Sequence, residues 1–278
     1  MLIQTKSLLT MLAVAGMTLF ASRASATTYV AGDLLLGFRA SGGQGSSENL
    51  IVNLGQADTV YRDAVANLTN IVDIGTLLTS TYGAGWDTRS DLFWGIVGVR
   101  TASSVGSAVD GDPVRTNYLS AAQTTVNPGT QSSTAWDIAG STSRAAVANA
   151  IVGLAGNYDA FSTAVTNTAI LPSGTGSTWT SNNDGSSSFT LAGTVEGNFG
   201  AGASGTALDL YRILNTTSGA SPTGTVGLGS YEGTFTISNS GVVGFAVTAV
   251  PEPSRALLAG LGLAGIAFRR RRTVKKSL

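Results

Sequence analysis

Near its C-terminus the chain sets two prolines around a glutamate, Pro251-Glu252-Pro253, then thirteen uncharged residues, Ala256 to Phe268, then Arg269, Arg270, Arg271 and Arg272. Proline lacks the backbone N–H that continues a helix or a ladder, and it pushes the residue before it out of the helical region. Whatever folds upstream therefore ends before Pro251. As a helix the apolar run is about 20 Å long, short of the roughly 30 Å hydrocarbon core. Four arginines with Lys275 and Lys276 beyond hold its far end in the cytoplasm, and Arg255 can snorkel at the near edge. The expectation is a short transmembrane helix that serves as a temporary anchor.

The N-terminus carries a second address. Lys6, the apolar stretch Leu8 to Phe20 and the small-residue site Ala24-Ser25-Ala26 read as a secretory signal helix cleaved after Ala26. Three regions follow: a signal peptide at 1–26, a body at 27–250 and a tail at 251–278.

Pro-Glu-Pro, the run Gly260-Leu261-Gly262-Leu263-Ala264-Gly265 and the arginine block, in that order, resemble the PEP-CTERM sorting signal of Gram-negative bacteria. The resemblance implies recognition by exosortase, a membrane transpeptidase, with cleavage near Pro251, Glu252 and Pro253. It also implies Sec export with signal peptidase, passage through the inner membrane, and release to a cell surface or matrix rich in extracellular polysaccharide and biofilm. Within the body, Gly32 to Ala40, Leu50 to Gly55 and Tyr231 to Ile237 resemble a group of PEP-CTERM exported proteins, which implies an export route and no chemistry.

Composition then limits what the body can do. Residues 27–250 hold seven Arg, no Lys and fifteen Asp or Glu, a net charge of 7 − 15 = −8. That balance argues against nucleic acid as a partner. There is no Cys and no His in the chain, which removes disulfides, thiol nucleophiles, Ser-His-Asp arrangements and the usual transition-metal ligands. Lysine-dependent dyads and Schiff bases go as well. No catalytic set, metal or cofactor is assigned from the sequence. Glycoside hydrolysis survives because it needs only two carboxylates; Glu48, Glu196 and Glu232 are the body's only glutamates, the latter two before a glycine at apparent strand ends.

Short apolar runs between Gly/Ser/Asn turns predict a mainly β, antiparallel, sandwich-like body with helical insertions. Strands are expected over Tyr29 to Arg39, Asn49 to Leu54, Leu92 to Val99, Ser188 to Val195, Leu208 to Leu214, Gly233 to Ser238 and Val242 to Thr248. Asn239-Ser240-Gly241 marks a hairpin, and the unbroken apolar character of Leu92 to Val99 predicts burial on both faces. Helical spacing predicts one or two helices in Thr59 to Leu78, from Tyr61, Val65, Leu68 and Val72, and a longer one in Ser141 to Thr168. Leu171 to Ser188 reads as a surface loop.

Two kinds of site remain. Asp110-Gly111-Asp112 and Asn182-Asn183-Asp184-Gly185 are oxygen-rich turns that fall short of a calcium loop. Trp179, in a polar stretch, and Trp86, between Gly85 and Asp87, are the tryptophans best placed to stack on a sugar ring in a polysaccharide-binding module. The leading expectation is a non-enzymatic exported surface or matrix protein; the rivals are that binding module and a carboxylate-dependent glycosidase.

Overall fold

The computed structural model describes residues 28–103, 105–106, 109–136, 141–162, 167–183, 195–214 and 229–248. The expected signal helix, the sorting tail, Asp184 and most of Ser188 to Val195 lie outside these residues.

Among the described residues ten strands are present: β1 (Asp33–Ala40), β2 (Glu48–Gln56), β3 (Leu68–Asp73), β4 (Leu92–Val99), β5 (Asn117–Ala122), β6 (Thr168–Pro172), β7 (Glu196–Asn198), β8 (Ala207–Ile213), β9 (Ser230–Ile237) and β10 (Val242–Ala246). They form one antiparallel sheet in the order β3-β10-β9-β8-β5-β4-β1-β2-β6, with β7 pairing β4 beside β5. Helices α1 (Gly75–Tyr82), α2 (Ser141–Phe161) and α3 (Trp179–Asn183) are the insertions. The mainly β antiparallel class is as expected, and its two buried faces belong to a single sheet.

That sheet is strongly curled. β2 and β3 lie seven strand spacings apart in the order, about 34 Å if the sheet were flat, yet eleven residues join them and five of these, Ala57–Tyr61, are wound into a π-helical turn. Tyr61 shows the closure directly. Its hydroxyl donates to the Leu54 carbonyl (2.8 Å), while its ring lies 5.1 Å from Phe235 and 5.3 Å from Phe245.

Alternation assigns the two faces. Leu34, Leu36 and Phe38 of β1 point inward with Trp94, Ile96, Leu208, Leu210, Phe235 and Phe245. Leu35, Ile51, Val97, Val99, Tyr211 and Ile213 point outward, under Val147, Ile151, Leu154 and Tyr158 of α2. A strand buried on both sides reads as a continuous apolar run, and for this reason Leu92–Val99 was legible.

The helices expected in Thr59 to Leu78 are corrected. Only the turn at Ala57–Tyr61 and α1 are helical; Leu68 and Val72 belong to β3, where they pair with Phe245 and Val243 of β10. Val65 is 86% exposed, and Asn70 sits at φ 56°, a left-handed conformation that no helix interior tolerates. Pairing with β10 outweighs the four-residue apolar spacing. Similarly, the loop expected from Leu171 contains the end of β6 and α3, because Leu171 and Trp179 are both buried in the outer core.

One close approach fixes α3 against β1. A Cβ placed on Gly37 would lie 2.0 Å from Cε3 of Trp179. Gly37→Ala is therefore expected to destabilise the fold by about 2 kcal/mol or more, whereas Gly174→Ala, which faces open space, is expected to be close to neutral. Urea unfolding of the two variants checks the difference.

Candidate functional site

Among the described residues, most of the chemistry-bearing side chains singled out in the sequence are spent on structure. Trp179 and Trp86 are not exposed platforms. Trp179 is fully buried and its indole N–H donates to Glu196 Oε1 (2.7 Å). Trp86, 4% exposed, lies edge-on to Phe199 with ring centroids 5.2 Å apart. Both rings fill core volume that the small residues around them leave open.

Glu196 is likewise no exposed acid. It is held by Arg39, whose Nε and Nη2 donate to its carboxylate at 2.9 and 2.6 Å, and Arg39 in turn lies 4.7 Å over the Phe93 ring. Burial pushes the Glu196 carboxyl above its ordinary range, with the hydrogen bonds from Arg39 and Trp179 pulling it back. Glu232, on β9, accepts from the Ser230 hydroxyl (2.7 Å), and burial raises its carboxyl too.

The turn Asp110-Gly111-Asp112 presents its acid to arginine. Asp112 is buried and accepts from Arg62 Nη1 (2.8 Å), Arg212 Nε (2.7 Å) and the Tyr118 hydroxyl (2.6 Å). Asn182 and Asn183 use their side-chain amides to donate to the carbonyls of Thr178 and Trp179. Among the described residues no three acidic side chains converge as a metal site would require.

Sequence reading missed the densest polar cluster, which surrounds Asp209. This fully buried acid accepts from Gln123 Nε2 (2.6 Å), the Thr234 hydroxyl (2.9 Å), the N–H groups of Ser132 and Ser133 (2.9 and 2.8 Å) and the Ser133 hydroxyl (2.8 Å). The one available signal was a lone aspartate between Leu208 and Leu210 in an apolar strand. Asp209 ties the connection from Gln123 to Trp136 onto the outer face of β8 and β9. That connection reaches Val247: a Cβ on Gly129 would lie 2.7 Å from its carbonyl oxygen. From the other side Asn67 Oδ1 accepts from Val247 N–H (3.0 Å).

The place where the body ends is thus built rather than frayed. Thr248 is exposed, and three residues later the chain reaches Pro251. In this antiparallel order β1 starts at the end of the sheet where β2, β4 and β8 finish and β9 starts, and β10, antiparallel to β9, runs back toward that end. The start of the body at Thr28 and its finish at Thr248 therefore leave from the same end of the curled sheet.

A stable body that hands its C-terminus straight to a proline break, an apolar run and a basic block belongs to the class of exported proteins carrying their address in a tail. Residues 249–272 match the family model of the PEP-CTERM protein-sorting motif. The chain carries this motif, which marks it as an exported protein targeted by exosortase and sorted through the membrane toward the cell surface. No curated protein and no solved structure matches it.

Proposed function

We propose that the body is a non-enzymatic component of the cell surface or extracellular matrix, associated with exopolysaccharide and biofilm, which exosortase releases from its temporary anchor. The observation that carries this reading is the sorting motif placed four residues beyond Val247, directly after a body whose buried acids are locked to donors. Glu196, Asp112 and Asp209 each stabilise packing, and a carboxylate held by arginine or by several N–H groups is a poor proton carrier. Support for polysaccharide as the partner is a groove edged by Val30, Leu54, Gln56 and Asn167, where the exposed Asn167 carries an amide of the kind that hydrogen-bonds sugar hydroxyls.

Two measurements test the proposal. Replacing Pro251, Glu252 and Pro253 by alanine is expected to leave the chain membrane-bound with Arg269 to Leu278 still attached, read by intact mass of the membrane and extracellular fractions. Unchanged processing of that variant would falsify sorting through the motif. The mature body is expected to be retarded in gels containing exopolysaccharide from its native host, and unretarded migration sinks the polysaccharide part alone.

A further inference from the structure

The end of the body from which both termini leave differs in surface chemistry from the rest. Among the described residues nine large apolar side chains are exposed. Five of them are valines in the loops at this end: Val30 (59%) ahead of β1, Val60 (41%) and Val65 (86%) between β2 and β3, and Val105 (82%) and Val109 (39%) between β4 and β5. The arginines at this end are turned inward, Arg62 and Arg212 into ion pairs with Asp112 and Arg144 into the core. Arg62 and Arg212 flank Asp112 at this end, Arg100 and Arg115 lie in the same β4–β5 connection, and Arg144 donates to the Leu214 carbonyl just past β8. These are five of the seven arginines in residues 27–250.

The length of the tail decides what this end meets. From Val247, pinned by Asn67, to Ala256 at the start of the apolar run is nine residues, at most about 30 Å of extended chain. A compact body of about 220 residues has a radius of gyration of roughly 17 Å. Its far end therefore cannot reach the bilayer without the tether doubling back across the sheet.

We propose that, while the tail is still uncut, the end of the sheet carrying Val30, Val65 and Val105 rests on the lipid headgroup surface. The exposed valines enter the interface. The β9–β10 turn at Asn239 points away. This arrangement rests on the tail acting as a membrane anchor; it adds an orientation and a lipid-facing surface. Cutting the tether leaves only the valines in contact, too little apolar area to hold a net-acidic body, so release follows.

The chain has no cysteine, so single labels can be placed cleanly. Val65→Cys, Val105→Cys and Asn239→Cys are made in the exported, uncut chain, purified from membranes of a host without exosortase. Each is labelled with a fluorophore and incorporated into vesicles of phosphatidylethanolamine and phosphatidylglycerol whose headgroups bear a quencher. Quenching several-fold stronger at positions 65 and 105 than at 239 is the expected result. Equal quenching at the three positions, or stronger quenching at 239, overturns the orientation while leaving the anchor intact. Flotation of the same samples reads the anchor separately: protein that fails to float with the vesicles overturns the anchor and the orientation together.

Discussion

Above pH 10 the fold is expected to collapse over a narrow range, with tyrosine ionisation and loss of β structure occurring together. Burial raises the hydroxyl pKa of Tyr29, Tyr61, Tyr82 and Tyr118 well above the ordinary tyrosine value, with Asp112 adding to the effect at Tyr118. Tyr211 and Tyr231 are pushed up to about 12, again chiefly by burial. Each of these hydroxyls keeps its proton in the folded chain at a pH where the unfolded chain has lost it. Their contribution is complete below pH 10 and is lost as pH rises toward the folded values. The slope is about 1.4 kcal/mol per pH unit for each such group. Six together approach about 8 kcal/mol per unit, comparable with the whole stability of a domain, about 5–15 kcal/mol. Tyrosinate absorbance and far-ultraviolet circular dichroism, followed along one alkaline titration, check this. A smooth tyrosine titration centred near pH 10 with the fold intact would show that these hydroxyls sit in solvent.

Acid should act more gently on the groups whose shifts are known. Burial raises the Glu196 and Glu232 carboxyls, so their contribution is greatest below the ordinary carboxylate range and declines as pH rises through the raised values. Asp91 runs the other way. Its hydrogen bond from Arg89 lowers its pKa, and the stability it lends is lost as the solution turns acid. Asp91 is partly exposed, so solvent screening keeps that loss small.

Much of the sheet could be read in advance because its strands obey local rules. β1, β2, β4, β8, β9 and β10 fall where short apolar runs stand between turn residues, and the hairpin at Asn239-Ser240-Gly241 closes as its composition requires, with Gly241 at φ 86°. β3, β5, β6 and β7 were not legible. β3 has a half-exposed pattern and earns its place by pairing with β10, far away in sequence. β7 is three residues long and exists because β4 offers it partners at Phe93, Trp94 and Gly95.

The curl of the sheet was also invisible in sequence. It follows from Tyr61 reaching from Leu54 to Phe235 and Phe245, a contact between residues more than 170 positions apart. The tryptophans show the same limit. A polar neighbourhood in sequence places Trp179 at the surface, and only the gap over Gly37 and Gly95 reveals the slot it fills. The tail is the opposite case. Its order of proline break, apolar run and arginines is recognised by residue type alone, so it needs no tertiary context to be read.

Asp209→Ala is expected to lower stability by about 4 kcal/mol, the largest effect of any single substitution outside the packed core. The carboxylate gathers five donors within hydrogen-bond distance, four of them buried and the Ser132 N–H part-buried. Truncation leaves each of them without its acceptor, at about 1 kcal/mol or more apiece. Relief from no longer burying a charge offsets part of that sum. Asp209→Asn keeps one carbonyl oxygen and should lose roughly half as much, because its amide group then points a donor at donors. Urea midpoints at unchanged slope measure both losses. The consequence reaches the sorting tail as well. Without Asp209 the connection from Gln123 to Trp136 loses its hold on the sheet, and with it the contact between Gly129 and Val247. Amide hydrogen exchange at Val247 is expected to rise in Asp209→Ala under conditions where the centre of β4 stays protected. A midpoint shift of less than about 1 kcal/mol, with exchange at Val247 unchanged, would mean that the network decorates the sheet and that the exit of the tail is held by Asn67 alone.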